Sequence, residues 1–189
     1  MSASHAPVPS LEALYAAVEA LPEGVTGELV DGQLYAHPRP SARHGFAASS
    51  IGGDLFNPFS RGRGGSGGWW IIDEPEVHFV RDLEVCVPDL AGWRREHMTT
   101  LPDDQRFETV PDWVCEIASP STASYDREKK LPLYARHGVH FAWLVDPAAR
   151  RLEAFELDGG AWRAIGAFEG EVPIRVAPFA EIVVAPPWE

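Results

Sequence analysis

Two acids and one lysine carry the chemistry that this sequence could do. Glu116 stands inside Asp112-Trp113-Val114-Cys115-Glu116-Ile117, a short run of β-formers. A carboxylate inside an apolar strand must be paired or must bind a cation, because burying it alone costs several kcal/mol or the loss of its charge. Asp89 ends a second apolar run, Leu83-Glu84-Val85-Cys86-Val87-Pro88. Side chains alternate along a strand, so Val85, Val87 and Asp89 share one face, and Asp112, Val114 and Glu116 share another. Pairing the two strands would bring both carboxylates to one side of a sheet. Two close carboxylates repel, and a hard divalent ion such as Mg²⁺, which takes one or two carboxylates plus water and substrate phosphate, would hold them ionised. The competing reading is that Asp89 starts a turn and Glu116 pairs with an arginine.

Lysine is the third candidate because it is so rare here. Of 16 basic residues all but two are arginine, and the two lysines, Lys129 and Lys130, are adjacent. Lysine is a compact donor whose pKa shifts readily, whereas a guanidinium is planar and permanently charged. Leu131, Tyr134, Ala135 and Gly138 follow the spacing of a helix's buried stripe. At about 100° per residue, Lys130 lies roughly 90° from the centre of that stripe and Lys129 roughly 170° from it. Lys130 is therefore at the edge of the sheet-facing side, with an exposed ion pair to Asp126 as the alternative, and Lys129 faces water. Pro132 is expected to bend this helix.

Local signals mark the elements that surround these groups. Residues 1–9 are expected to be disordered, and Ser10 caps a helix with Leu11, Leu14, Tyr15, Val18 and Leu21 on one stripe. Asp31-Gly32 between two apolar runs predicts a β-hairpin. Pro38 and Pro40 end its second strand, and Ser41 caps a helix that runs to about Phe56 with His44 in its first turn. Residues 61–68 form a glycine-rich loop, whose Arg61 and Arg63 either belong to a bare linker or touch a phosphate backbone. Gly64-Gly65-Ser66-Gly67-Gly68 matches a nucleophile-elbow pattern, but that motif needs a strand before and a helix after it, and here the order is reversed. Residues 69–80 read as one strand bent at Pro75, residues 83–91 as another, and 92–111 as a long polar excursion. A helix over 124–136 ends at Gly138, followed by a strand over 139–145 and a meander over 151–157 and 161–168.

Composition sets the outer limits. With 189 residues, 45% of them hydrophobic, the chain is long enough for one core, and a single domain is expected over 1–189. It shows neither a membrane-length apolar run nor the pattern of a signal peptide, which predicts a cytoplasmic protein. Cys86 and Cys115 fit no metal spacing and read as small buried apolar residues rather than a disulfide. A net charge of −12 argues against nucleic-acid binding through a basic face. Divalent ions at the acids between Asp73 and Glu116 would alter that balance.

Pro88-Asp89, Glu116 on the next core strand and Lys130 together resemble the PD-(D/E)xK nuclease superfamily. More closely they resemble its bacterial family of putative restriction endonucleases. That closer resemblance covers most of the chain: Gly27-Glu28-Leu29-Val30-Asp31-Gly32, His44 after the Pro-rich turn, Val87-Pro88-Asp89-Leu90, the segment from Cys115 to Thr122, Asp126 with Lys130 and Tyr134, Gly138-Val139, and Trp143-Leu144-Val145-Asp146-Pro147. One departure is that the superfamily pattern places lysine two residues after the acid, where this chain has Ala118. The resemblance implies that Lys130 has taken that role from the following helix. It implies an α/β fold with a restriction-endonuclease-like mixed β-sheet flanked by helices, an N-terminal helix plus hairpin and a C-terminal meander. It also implies Mg²⁺- or Mn²⁺-dependent hydrolysis of nucleic acid, DNA before RNA, by a homodimer where both strands are cut. Asp89, Glu116 and the Ile117 carbonyl would hold the metal, with Lys130 catalytic and Glu28, His44, Asp126 and Tyr134 in support. The alternative is a catalytically silent nuclease fold that serves as a protein-binding or assembly module.

Overall fold

The computed structural model describes residues 11–119 and 122–188. The expected disorder at 1–9, the Ser10 cap and the Pro120-Ser121 part of the turn after Glu116 lie outside the described residues. Helix α1, Leu11–Glu19, is anchored by Tyr15, whose hydroxyl donates to Glu76 Oε1 at 2.6 Å. Strands β1, Val25–Val30, and β2, Gln33–Pro38, form the expected hairpin. Asp31 and Gly32 both take positive φ, 52° and 71°, as a two-residue turn of this type requires. Ser41 caps α2, Ala42–Leu55, by accepting the His44 N–H at 3.3 Å, and a π turn, Phe56–Ser60, extends the helix.

The next two apolar runs behave differently from the single strands expected of them. Residues 69–80 divide into β3, Trp69–Asp73, and β4, Glu76–Val80; residues 83–91 divide into β5, Glu84–Cys86, and the start of β6, Leu90–Arg94. In each case the two halves join different sheets. One sheet has the order β2-β1-β5-β4-β7, where β7 is Arg106–Phe107. The other has the order β11-β10-β9-β8-β6-β3, where β8 is Trp113–Ile117, β9 Phe141–Asp146, β10 Arg151–Asp158 and β11 Ala161–Glu169. The breaks fall at Pro75 and Pro88, which have no N–H to continue a ladder. The Glu74 N–H donates to the Asp89 carbonyl at 3.1 Å, tying the two corners together. Asp89 therefore stands at the seam between sheets, and the excursion over 92–111 is shortened by β6 and β7.

Strand β8, Trp113–Ile117, lies near the middle of the six-stranded sheet, antiparallel to β6 and parallel to β9, Phe141–Asp146. Its alternation is as expected. Trp113, Cys115 and Ile117 pack with Ala47, Ile51 and Leu55 of α2, while Val114 faces Leu131, Leu133 and Tyr134 on the opposite side. Strands β10, Arg151–Asp158, and β11, Ala161–Glu169, complete the meander.

The helix between β8 and β9 departs from ideal geometry. It consists of α3, Ala123–Tyr125, a π turn, Asp126–Lys130, and α4, Leu131–Arg136. The Leu131 N–H donates to the Asp126 carbonyl, five residues back, and the extra residue rotates the later turns. Pro132 cannot donate, so the ladder is interrupted where the wide turn ends. The expected stripe is corrected accordingly. Leu131, Leu133 and Tyr134 are buried, Ala135 is half-buried and Gly138 is exposed, while Asp126 and Lys130 turn inward together. Cys86 and Cys115 are free and buried. Among the described residues, no helix is long and apolar enough to cross a membrane.

Candidate active site

The seam between the sheets opens into a cavity of about 280 Å³. Glu28 reaches it from β1, Asp89 from the corner before β6, Glu116 and Ile117 from the end of β8, Asp126 and Lys130 from the π turn, and His44 from α2. Two hydrogen-bonded groups make up its floor. In the first, Lys130 Nζ lies 2.9 Å from Glu28 Oε1 and 2.9 Å from Glu116, and donates to the Val87 carbonyl at 3.3 Å. Glu28 Oε1 also accepts the Val87 N–H at 2.7 Å, and the Tyr134 hydroxyl donates to Glu116 Oε1 from beneath. In the second, Asp89 Oδ2 accepts the Ile117 N–H at 2.6 Å, while Oδ1 lies 2.7 Å from His44 Nε2. The Asp89 carboxylate is thus fastened to the backbone next to Glu116 by β8 itself.

Burial and charge act against each other here. Burial alone would raise Glu28, but Lys130, His37 and the Val87 N–H outweigh it and bring its pKa down to about 2. Burial likewise opposes the charge on Lys130, yet Glu116, Glu28 and Asp126 push its pKa well above the ordinary lysine range. Glu116 is the surplus acid. Burial, reinforced by Asp126, Asp89 and Glu28 against the pull of Lys130, raises it well above the carboxylate range. Asp126 is pushed up to about 6, chiefly by burial. His44 is raised because its hydrogen bond and attraction to Asp89 outweigh its desolvation.

Five carboxylates, Glu28, Glu74, Asp89, Glu116 and Asp126, thus line the cavity beside two cations, Arg39 and Lys130, and Lys130 pairs with Glu28 and Glu116. Among the described residues, no three His, Cys, Asp or Glu side chains converge as a ready metal site. A magnesium site does not need three, since that ion keeps water and substrate phosphate in most of its positions. Hard oxygen donors and surplus negative charge fit such an ion.

His37 was not singled out by sequence reasoning. It lines the cavity with Nε2 3.5 Å from Glu28 Oε2, and its ring lies 4.9 Å from that of Tyr125, which is also 4.6 Å from Tyr35. The signal was present: the two-residue turn fixes Thr26 opposite His37 and Glu28 opposite Tyr35, putting all four on one face. Arg61 and Arg63 are not among the residues lining this cavity. Arg61 lies 5.1 Å above the Phe56 ring, and the Arg63 N–H donates to the Asn57 carbonyl at 2.9 Å.

Comparison with known proteins adds three findings. A family described as Uma2, putative restriction endonuclease, matches residues 11–185. Among curated proteins, none matches. A crystal structure from Anabaena variabilis, described as a putative nuclease belonging to DUF820, superposes with a TM-score of 0.72 over 94% of this chain and 95% of that one. At 19% identity the likeness is one of fold.

Proposed function

This chain belongs to the Uma2 family of putative restriction endonucleases, and from that premise we propose that it is a metal-dependent endonuclease hydrolysing phosphodiester bonds, in DNA rather than RNA. We place the activity in one domain, in the cytoplasm, with two copies acting together where both strands of a duplex are cut. The observation that carries this reading is the meeting of Asp89, Glu116 and Lys130 at one acidic cavity, with the Ile117 N–H holding Asp89 at 2.6 Å. Asp89, Glu116 and the Ile117 carbonyl would hold Mg²⁺ or Mn²⁺, which when bound polarises the phosphate and lowers the pKa of a water. Lys130 supplies a compact cation to offset charge growing on the phosphate oxygens. His44 keeps Asp89 oriented, and Tyr134 does the same for Glu116 from below. Glu28 holds Lys130 in place and charged. Asp126 adds to the negative charge of the cavity.

The test is a metal titration followed by thermal melting, because a ligand bound only by the folded state stabilises it. Mg²⁺ or Mn²⁺ should raise the melting temperature, Asp89→Asn should lose most of that gain, and only the unmodified protein should nick plasmid DNA. Equal responses of the two proteins to metal would remove the carboxylate pair from the site. One observation favours the assembly-module reading: Lys130 is engaged by two carboxylates within 2.9 Å in a protein of net charge −12. Metal binding without cleavage of any nucleic acid would put that reading first.

A further inference from the structure

A second cavity, about 500 Å³, adjoins the acidic one and shares His44, Glu74 and Asp89 with it. One wall is the face of α2 bearing Gly45, Ser49 and Gly53; Ile71 of β3 and Leu90 of β6 also line it, as does Phe56. Phe56 is 40% exposed and carries the Arg61 guanidinium 5.1 Å above its ring.

Of the three glycines in this wall, Gly52 would place a Cβ 3.4 Å from Leu90 Cδ2, whereas Gly45 and Gly53 are unexplained by the fold. Gly45 and Gly53 lie inside a helix without positive φ, and a Cβ at either would meet nothing within 4 Å. Glycine weakens a helix relative to alanine, so α2 keeps open a space that its own stability would fill. The polar side chains at this space are the exposed carboxylates of Asp73 and Glu74, the shared Asp89 and His44, and the Ser49 hydroxyl, so that carboxylate acceptors outnumber the other groups. Such walls repel phosphate. What they suit is a flat, uncharged body with apolar faces and amino groups on its edge.

We propose that this second cavity receives the unpaired base of the nucleotide next to the phosphodiester being cut, so that single-stranded or locally unpaired nucleic acid is cut in preference to a fully paired duplex. The proposal rests on the nuclease reading. A base held between α2 and the Ile71 and Leu90 side chains stays covalently linked to a phosphate at Asp89. Its exocyclic amine donates to Asp73 or Glu74, which favours cytosine, adenine and guanine over thymine. In a duplex the base is stacked between its neighbours, so its faces are not free to enter such a cavity without the cost of unstacking. Phe56 offers a stacking face, and Arg61 above it a cation for the neighbouring phosphate.

Gly45→Leu and Gly53→Leu test this, since each fills the cavity from a position where the protein has room. Both should melt no lower than the parent, because leucine is the better helix former. With Mn²⁺, the parent should cut single-stranded oligodeoxycytidylate faster than oligothymidylate and faster than a matched duplex. Both variants should lose about tenfold in kcat/KM on oligodeoxycytidylate, yet cut a strand at an abasic position as the parent does. Folded variants that cut oligodeoxycytidylate normally, or a parent that cuts duplex as fast as single strand, would overturn the proposal. If the parent cuts nothing, the nuclease reading fails by itself, and binding of fluorescent oligodeoxycytidylate in Ca²⁺ decides. A tenfold weakening in both variants then sustains the base site, and unchanged or absent binding removes it.

Discussion

Lys130 and Lys129 are neighbours in sequence with opposite surroundings. The Lys130 side chain is 4% exposed between Glu28 and Glu116, whereas Lys129 is 45% exposed and 3.8 Å from Asp31. Lys130→Arg should therefore lower cleavage by about 10²–10³, and cost about 1–3 kcal/mol because the larger guanidinium overfills its slot. Lys129→Arg should do neither, and equal cleavage rates in the two variants would leave Lys130 a structural role only. Asp126 gives the pH dependence. Its folded pKa of about 6 stands above its ordinary 3.8, so folding favours the protonated acid. The penalty is absent below about pH 4, grows as pH rises to about 6, and is constant beyond. Asp126→Asn removes it, keeping an oxygen for its hydrogen bond with Thr122. The variant should be roughly 2–3 kcal/mol more stable than the parent near pH 8 and no different near pH 3.5, read from urea unfolding. A gap that does not change with pH would mean that Asp126 titrates normally.

At the scale of elements, the junction of β3, β6 and β8 positions Asp89 and Glu116, and Gly92 lies at its centre. It pairs with Ile71 on one side and Trp113 on the other. A Cβ there would come within 3.1 Å of Ile71 Cδ1 and 3.2 Å of both Trp113 Cε3 and Trp69 Cε3. Indole rings in a packed core yield little, so Gly92→Ala should destabilise by about 1–3 kcal/mol, visible as a lower urea midpoint at unchanged slope. The cysteines report on the two sheets separately, Cys86 in the five-stranded and Cys115 in the six-stranded one. Burial pushes both thiols well above their ordinary pKa, with nearby acids adding to the effect. Both should resist a small alkylating agent in the native protein and react rapidly in denaturant. Rapid native labelling of one, located by peptide mapping, would show which sheet opens.

At the scale of the whole molecule, the last segment closes the larger core although it contains little regular structure. Ile174 and Val184 form one isolated bridge. Phe179 brings its ring 4.6 Å from Phe59 and 5.0 Å from both Trp69 and Trp113. Trp188 is buried in the same cluster and donates its indole N–H to the Gly170 carbonyl at 2.8 Å. Trp188→Ala should cost roughly 3–5 kcal/mol, measured by chemical unfolding. A loss under about 1 kcal/mol would show that the tail packs on a core already complete without it.

Local signals in the chain were enough for the hairpin at Asp31-Gly32, the Ser41 cap, the alternation of β8, the meander and the close of α4 at Gly138. Each depends on residues within a few positions of one another, through turn chemistry, capping or side-chain period. The same signals drew attention to Asp89, Glu116 and Lys130. Where a strand goes after a proline break was not local information. Pro75 and Pro88 mark interrupted ladders, but only pairing with distant segments sends β3 and β6 to one sheet and β4 and β5 to the other. The π turn was equally hidden, since a repeating 100° angle cannot register one added residue, and the buried stripe after it falls on Leu131, Leu133 and Tyr134. The contacts of Lys130 with Glu28, and of Asp89 with the Ile117 N–H, link positions far apart in sequence. Residue type and spacing named the candidates. Hydrogen bonding across the seam of two sheets, which no short stretch encodes, set them around a single cavity.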